Sequence, residues 1–377
     1  MDSQTNDVPE LKPEEAVDTS IKVKADGYKI EDLLDVVVGK DASDLHLAFG
    51  YPPMIRIDGK LLKIGTEVLN EKHLQKLIYS VLPDSKKELY EVNKEVDLSY
   101  AYKDEARFRV NVYHERGNMA AAFRLIPSKI RSVEDLQLPV MLHEFTKLPQ
   151  GLILVTGPTG HGKSTSLAAM LQEINSKYSK HIITIEDPIE YIYPKGLSLV
   201  DQREMHEDTH DWSIALRSAL RQDPDVVLVG EMRDFETIAA TITIAETGHL
   251  VFATLHTNSA AQSIDRIIDV FPEHQQAQIR AQLANIIEGI VSQRLVPIIG
   301  GGRRAVCELL VATSAVRNTI REGKTFQIDN IIQTSSDVGM IPFDKSLAAL
   351  VQEGKISLED AQEYTLRPEE LIKYVKR

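Results

Sequence analysis

One stretch constrains this chain more than any other: Gly157-Pro158-Thr159-Gly160-His161-Gly162-Lys163-Ser164-Thr165. It fits the G-x-x-x-x-G-K-[ST] pattern of a phosphate-binding loop (P-loop). The apolar run Gly151–Thr156 before it reads as a strand. After it, Leu167, Met170, Leu171 and Ile174 share one helical face. Strand, glycine-rich turn and helix is the setting in which backbone N–H groups converge on phosphate oxygens at a positive helix end. In that setting Lys163 reaches the β- and γ-phosphates of a nucleotide and the Ser164 hydroxyl binds Mg²⁺. An ordinary tight turn has no need of these flanks.

Composition removes several alternatives. A chain of 377 residues has room for two or three domains. Its 43% hydrophobic and 26% charged content is that of a soluble globular protein. No apolar run approaches the ~18 residues of a transmembrane segment. The start, Met1-Asp2-Ser3-Gln4, lacks the basic and apolar segments of a signal peptide, so a cytoplasmic protein is expected. Cys307 is the single cysteine, which rules out an intramolecular disulfide and a four-cysteine zinc site. A net charge of −13 argues against direct nucleic-acid binding.

Residues 1–27 are polar and acidic, with no apolar periodicity, and read as a disordered tail. From Tyr28 to Ile126, helical spacing (Ile30, Leu33, Leu34, Val37; Glu71–Val81) mixes with short alternating strands, a pattern that predicts a small α+β domain. Asp58-Gly59 lies between two of these strands as a hairpin turn. Arg109 and Arg124 fall on its later strands. Residues 127–148, with Pro127 and Pro139, read as an interdomain linker, and 149–377 as an α/β domain. Its predicted strands are Leu152–Thr156, Ile182–Ile185, Val226–Val229 and Leu250–Leu255, with Ala305–Val311 further on. Helices are expected over Asp211–Gln222, which carries Arg217 and Arg221, and over Glu273–Val291.

Three further stretches carry chemistry. Thr184-Ile185-Glu186-Asp187-Pro188-Ile189-Glu190 ends a predicted strand, where parallel sheets place their ligand loops, and its carboxylates suit a metal or an attacking water. Asp223–Glu231 is an apolar strand ending in an acid, the position where a carboxylate meets metal or water; Gly230 stands where an aspartate is usual. Thr247–Ser259 places His256 just after a strand, within reach of a γ-phosphate. His206 and His210 have metal-like spacing on loop-like flanks, and no metal is expected there.

In this order, the four motifs resemble those of the bacterial secretion and type IV pilus motor ATPases. Gly157–Thr165 is similar to their Walker A, Ile185–Glu190 to their Asp box, Asp223–Glu231 to their atypical Walker B and Gly248–Ala260 to their His box. Ala315–Glu322 resembles the Ala-Ile-Arg-Asn-Leu-Ile-Arg-Glu motif of the PilT-type retraction branch, differing at Val316 and Thr319. The short N-terminal region and the missing four-cysteine site set the chain apart from the extension and type II secretion branches. One departure is His161, where the family usually has serine. The resemblance implies a homo-hexamer whose subunits pair a PAS-like N-terminal domain with a RecA-like P-loop ATPase domain, α/β in class. It implies ATP and Mg²⁺ as ligands, and a pilus platform protein of the inner membrane as partner, with the motor peripheral at the pilus base. It assigns Glu190 as general base and Glu231 as the Walker-B acid and metal residue beside Ser164. Arg217, Arg221 and Arg233 are placed around the active site and subunit boundary, and Arg109 and Arg124 face bound nucleotide. An accessory retraction or assembly motor is the nearest alternative; a nucleotide-dependent scaffold with little turnover is another. If the His161 ring faces phosphate, bound ATP raises its pKa and affinity strengthens toward acid pH.

Overall fold

The chain folds as two units, Met1–Ser128 and Lys129–Arg377, in a computed structural model that describes residues 27–40, 42–57, 60–103, 106–126, 129–365 and 367–376. Nearly all of the acidic tail and the Asp58-Gly59 turn lie outside the described residues.

In the first unit, α1 (Ile30–Gly39) leads to β1 (Asp44–Leu47), β2 (Met54–Ile57) and β3 (Lys60–Lys63). Helices α2 (Glu71–Tyr79) and α3 (Asp84–Asn93) precede β4 (Glu95–Tyr102), β5 (Ala106–Glu115) and β6 (Asn118–Ile126). The strands form one antiparallel sheet in the order β3-β2-β1-β6-β5-β4. Period-two alternation divides its faces. Leu45, Leu47, Phe108, Val110 and Phe123 join Leu33, Leu34, Leu74 and Ile78 from the helices in one core. The opposite face carries a cross-strand row: Arg56, Asp44, Arg124 and Arg109 stand in register on β2, β1, β6 and β5. Helix α3 is not among the elements that periodicity predicts, because Tyr90 is its one buried residue.

The second unit begins with α4 (Leu142–Phe145), β7 (Gly151–Thr156), α5 (Lys163–Lys177), β8 (His181–Glu186) and β9 (Leu199–Glu204). Then come α6 (Trp212–Ala219), β10 (Val226–Val229), α7 (Phe235–Glu246), β11 (Leu250–Leu255), α8 (Ala260–Asp269), α9 (Glu273–Ile286), β12 (Ile287–Pro297) and β13 (Arg303–Val311). Helices α10 (Ser314–Arg321), α11 (Ile328–Thr334), α12 (Phe343–Gln352), α13 (Leu358–Tyr364) and α14 (Pro368–Val375) follow. The sheet order is β13-β12-β7-β11-β10-β8-β9. Neighbours are parallel except for the antiparallel pair β12–β13. This is the α/β, RecA-like arrangement that the motifs require. Successive residues feed opposite cores. Leu152, Leu154, Val227 and Val251 pack with α6–α9, whereas Ile153, Val155, Leu228 and Phe252 pack with α5.

Two features differ from expectation or extend it. The helix expected over Glu273–Val291 stops at Ile286, and β12 starts at Ile287 beside β7. The run that continues the helical spacing is rich in isoleucine and valine, and burial on both faces favours a strand. Gly289 fits that strand closely, since a Cβ there would stand 2.2 Å from the Phe145 ring. Residues 129–148, expected as part of a linker, belong to the second unit. Val133, Leu138, Leu142 and Phe145 share a core with Leu167, Met170 and Leu171 of α5. Among the described residues, no helix is long and apolar enough to cross a membrane.

Candidate nucleotide site

The P-loop joins β7 to α5, and its shape is fixed from β12. Gly157 has φ +143°, and a Cβ there would stand 2.2 Å from the Gln293 carbonyl oxygen, so only glycine fits this approach. Lys163 is buried and donates to the carbonyls of Gly157 at 2.8 Å and Pro158 at 3.1 Å. Burial lowers its pKa below the ordinary lysine value, against the opposing charges of Glu231 and Glu190. Ser164 is half-buried in the first turn of α5. The Thr165 hydroxyl pairs with Tyr191 at 2.8 Å, which ties the helix to the loop after β8.

The parallel strands β8, β10 and β11 deliver their loops to the same edge. Glu231 follows β10, and its two oxygens meet Arg233 at 2.7 Å and His256 at 3.2 Å. Burial alone would raise its pKa, but Arg233 and His256 outweigh burial and hold the carboxyl below the usual range. His256 follows β11 and turns its other nitrogen toward Thr159 Oγ1 of the P-loop, 3.3 Å away. Arg233 also lies 3.9 Å from Asp187 in the loop after β8. Glu231, His256, Arg233 and Thr159 thus form one connected group.

Glu190 is exposed, and its backbone N–H donates to Glu186 at 3.4 Å. Its carboxylate acts electrostatically on Lys163. Glu186 is buried; Thr184 donates to it at 2.7 Å and Gln202 at 3.4 Å. Burial pushes the Glu186 carboxyl up to about 7. His249 bonds the Ile244 carbonyl at 3.0 Å and closes the turn after α7.

Other expected residues take their hydrogen bonds outside this group. Arg217 donates to the carbonyl and hydroxyl of Ser213 within α6, and Arg221 to the Arg217 carbonyl. Arg109 and Arg124 belong to the first unit, where Arg124 donates to Asp44 at 2.9 Å. The His161 ring is turned to β12, with Nδ1 accepting from the Leu295 N–H at 3.0 Å. Its pKa is lowered by burial and by the charges of Arg294, Lys163 and Arg303. This placement opposes the expectation of a ring protonated toward phosphate.

Gln293 is a site residue that motif reading passes over. It is buried on β12, donates to the His161 carbonyl at 2.8 Å and accepts from Ser166 at 2.7 Å. Flanked by Ser292 and Arg294 on a strand that also carries Glu288, Gln293 has no sequence signal that marks it out.

The donor set suits a hard cation. Among the described residues, no group of three or more His, Cys, Asp or Glu is placed to hold a metal. A carboxylate and a helix-terminal hydroxyl are instead what a magnesium shared with phosphates and water uses.

Comparison with known proteins agrees with this geometry. The family model "Type II/IV secretion system protein" matches residues 28–363. The Pseudomonas aeruginosa type IV pilus retraction ATPase PilT is 48% identical over 340 residues, 90% of this chain and 99% of that one. A twitching motility protein of Neisseria gonorrhoeae is 46% identical over 311 residues, 82% of this chain and 83% of that one. A crystal structure of the pilus retraction motor PilT with bound ADP superposes with a TM-score of 0.86 at 46% identity, covering 92% of this chain and 99% of the other. Matched along nearly the whole of those proteins and on the same fold, this chain is an ATP hydrolase that belongs to the type II/IV secretion system protein family, in its branch of PilT-type pilus retraction ATPases.

Proposed function

We infer that this chain is a motor that hydrolyses ATP to drive type IV pilus retraction and so twitching motility. The observation that carries the chemistry is the Glu231–His256–Thr159 bridge, which joins the ends of β10 and β11 to the P-loop. A change at the γ-phosphate position is felt at once by acid, imidazole and loop.

The residues divide the work between them. Backbone N–H groups of the P-loop and the α5 N-terminus hold the phosphates, and Lys163 turns its ammonium to β- and γ-phosphate oxygens. Ser164 and Glu231 would hold magnesium, which would supply charge neutralisation on the phosphates. Glu190, exposed and electrostatically coupled to Lys163, aligns and deprotonates the attacking water. Arg233 orients Glu231, and His256 reports the γ-phosphate. Arg217 of α6 and Arg221 just beyond its end, both exposed and bonded locally, act on a neighbouring subunit of a homo-hexamer. Arg109 and Arg124 reach nucleotide from the first unit. The hexamer works in the cytoplasm, peripheral at the inner-membrane base of the pilus, on the platform protein there.

Steady-state ATPase activity measured together with oligomer mass tests this reading, alongside twitching of cells lacking the gene. A hexamer that turns ATP over and whose loss leaves cells piliated but immobile is expected. A chain that binds ATP without turnover is a scaffold instead, and cells that lose pili altogether identify an assembly motor.

A further inference from the structure

His161 stands where serine is usual, and the structure gives its side chain a definite task. The residue is gripped twice by β12. Its carbonyl accepts from Gln293 Nε2 at 2.8 Å, and its ring Nδ1 accepts from the Leu295 N–H at 3.0 Å. Gln293, 2% exposed, extends the grip to α5 by accepting the Ser166 hydroxyl at 2.7 Å. Between these two positions, Arg294 turns the other way, as strand alternation demands. It donates to the Tyr364 carbonyl at 3.1 Å and lies over the Phe343 ring, 5.2 Å from its centre. A serine hydroxyl at position 161 ends one bond short of the Nδ1 position, so the Leu295 bond belongs to the histidine.

We propose that His161 is a positioning residue for nucleotide binding: through Leu295 and beside the Gln293 clamp, its ring holds the P-loop backbone in its phosphate-receiving shape and makes that shape sensitive to ring protonation. The proposal rests on the reading of this loop as the nucleotide site. The chemistry is simple. Only an unprotonated Nδ1 accepts an N–H, and a protonated ring would set donor against donor. The charged groups acting on the ring are Lys163 of α5, Arg294 of β12 and Arg303 of β13, all cations that disfavour an imidazolium. The bond therefore holds through neutral pH and fails on the acid side of the ordinary histidine value. This is opposite in sign to a histidine that gathers a proton for the phosphates.

The test is ADP binding to the full chain by calorimetry from pH 8 to pH 5.5, with melting temperature recorded for each sample. His161→Ala is expected to weaken ADP about tenfold at pH 8, the scale of one lost and unreplaced buried hydrogen bond. His161→Asn places an amide oxygen near the Nδ1 position and does not titrate, so it restores most of that affinity and removes the acid-side weakening seen in the wild type. The ring ¹⁵N shifts of wild-type His161 report the tautomer with the proton on Nε2. The proposal is overturned if His161→Ala keeps wild-type affinity and pH profile, or if His161→Asn binds as weakly as His161→Ala. A wild-type chain that binds no ADP at any pH overturns the nucleotide-site reading, and this inference with it.

Discussion

Arg317 of α10 meets Glu288 of β12 at 2.7 Å. The same guanidinium donates to the carbonyls of Ala284 and Asn285, each at 2.9 Å, and so closes the C-terminal end of α9. Cations at helix C-termini satisfy carbonyls that have no partner of their own. This separates two arginines of the motif at Ala315–Glu322 that share a face by spacing. Arg321 is exposed, whereas Val316, Thr319 and Ile320 are buried. Arg317→Ala should cost about 1.5–3 kcal/mol, as expected for charge-assisted bonds, and lower the melting temperature by roughly 3–10 °C. Arg321→Ala should leave melting and ATPase activity near wild type while cells keep their pili and stop twitching. Equal loss of stability in both variants would refute the division of labour.

The two acids near the P-loop should separate binding from turnover. Glu231→Ala and Glu190→Gln are each expected to retain ADP binding and to hydrolyse ATP at least about 100-fold more slowly, the scale of a lost general base or its electrostatic partner. Single-turnover rates beside equilibrium binding decide it. Near-normal turnover in both would leave the chemistry without its acids.

On the first unit's sheet, the arginine row gives an unequal pair. Arg124 is bonded to Asp44, whose side chain is 10% exposed and whose pKa is depressed; burial would raise it, but the Arg124 and Ser43 hydrogen bonds outweigh burial. Arg124→Glu opposes two carboxylates across β1 and β6 and should lower the melting temperature by about 2–5 °C. Arg109 is exposed, and Arg109→Glu should leave melting within about 1 °C while lowering ATPase activity of the assembled protein. Unchanged activity in Arg109→Glu would make the row a solvated surface.

Glu308 offers a pH test away from the phosphates. It is buried on β13 and accepts the Ala260 N–H of α8 at 2.7 Å, and burial pushes its pKa up to about 7. A carboxyl raised above its unfolded value of 4.5 stabilises fully below that value, and the contribution is lost as pH rises through about 7. Glu308→Gln cannot ionise. It should exceed the wild type in stability at pH 8 by up to about 3 kcal/mol, with the gain shrinking toward pH 5. Denaturant titrations at the two pH values check the sign, and a pH-independent difference would count against it.

Much of this molecule is legible in the chain because its central strands are buried on both faces. Leu152–Val155, Val226–Val229 and Leu250–Ala253 are apolar without interruption, and each lies within a strand of the sheet. β9 escapes because Leu199–Glu204 lies at the sheet edge and carries Asp201, Gln202, Arg203 and Glu204. The motif loops are legible for a related reason, since chemistry confines each to the end of such a strand. What sequence hides is the partner across a long separation. Gln293 meets Ser166 and His161 from more than a hundred residues away, and Arg317 finds its carbonyls about thirty residues back. Neither contact leaves a period or a pattern, because each belongs to packing alone.

Lys163 already holds two loop carbonyls, and Glu231 already holds a guanidinium and an imidazole. A polyphosphate therefore meets an ammonium with one of its three N–H donors to spare, and any further bond there replaces one the loop was making. Its net grip is weaker than the count of contacts implies. As product leaves, the carbonyls of Gly157 and Pro158 satisfy the ammonium again. For an engine that must let go of its spent fuel on every stroke, a site able to satisfy itself lowers the barrier to starting the next one.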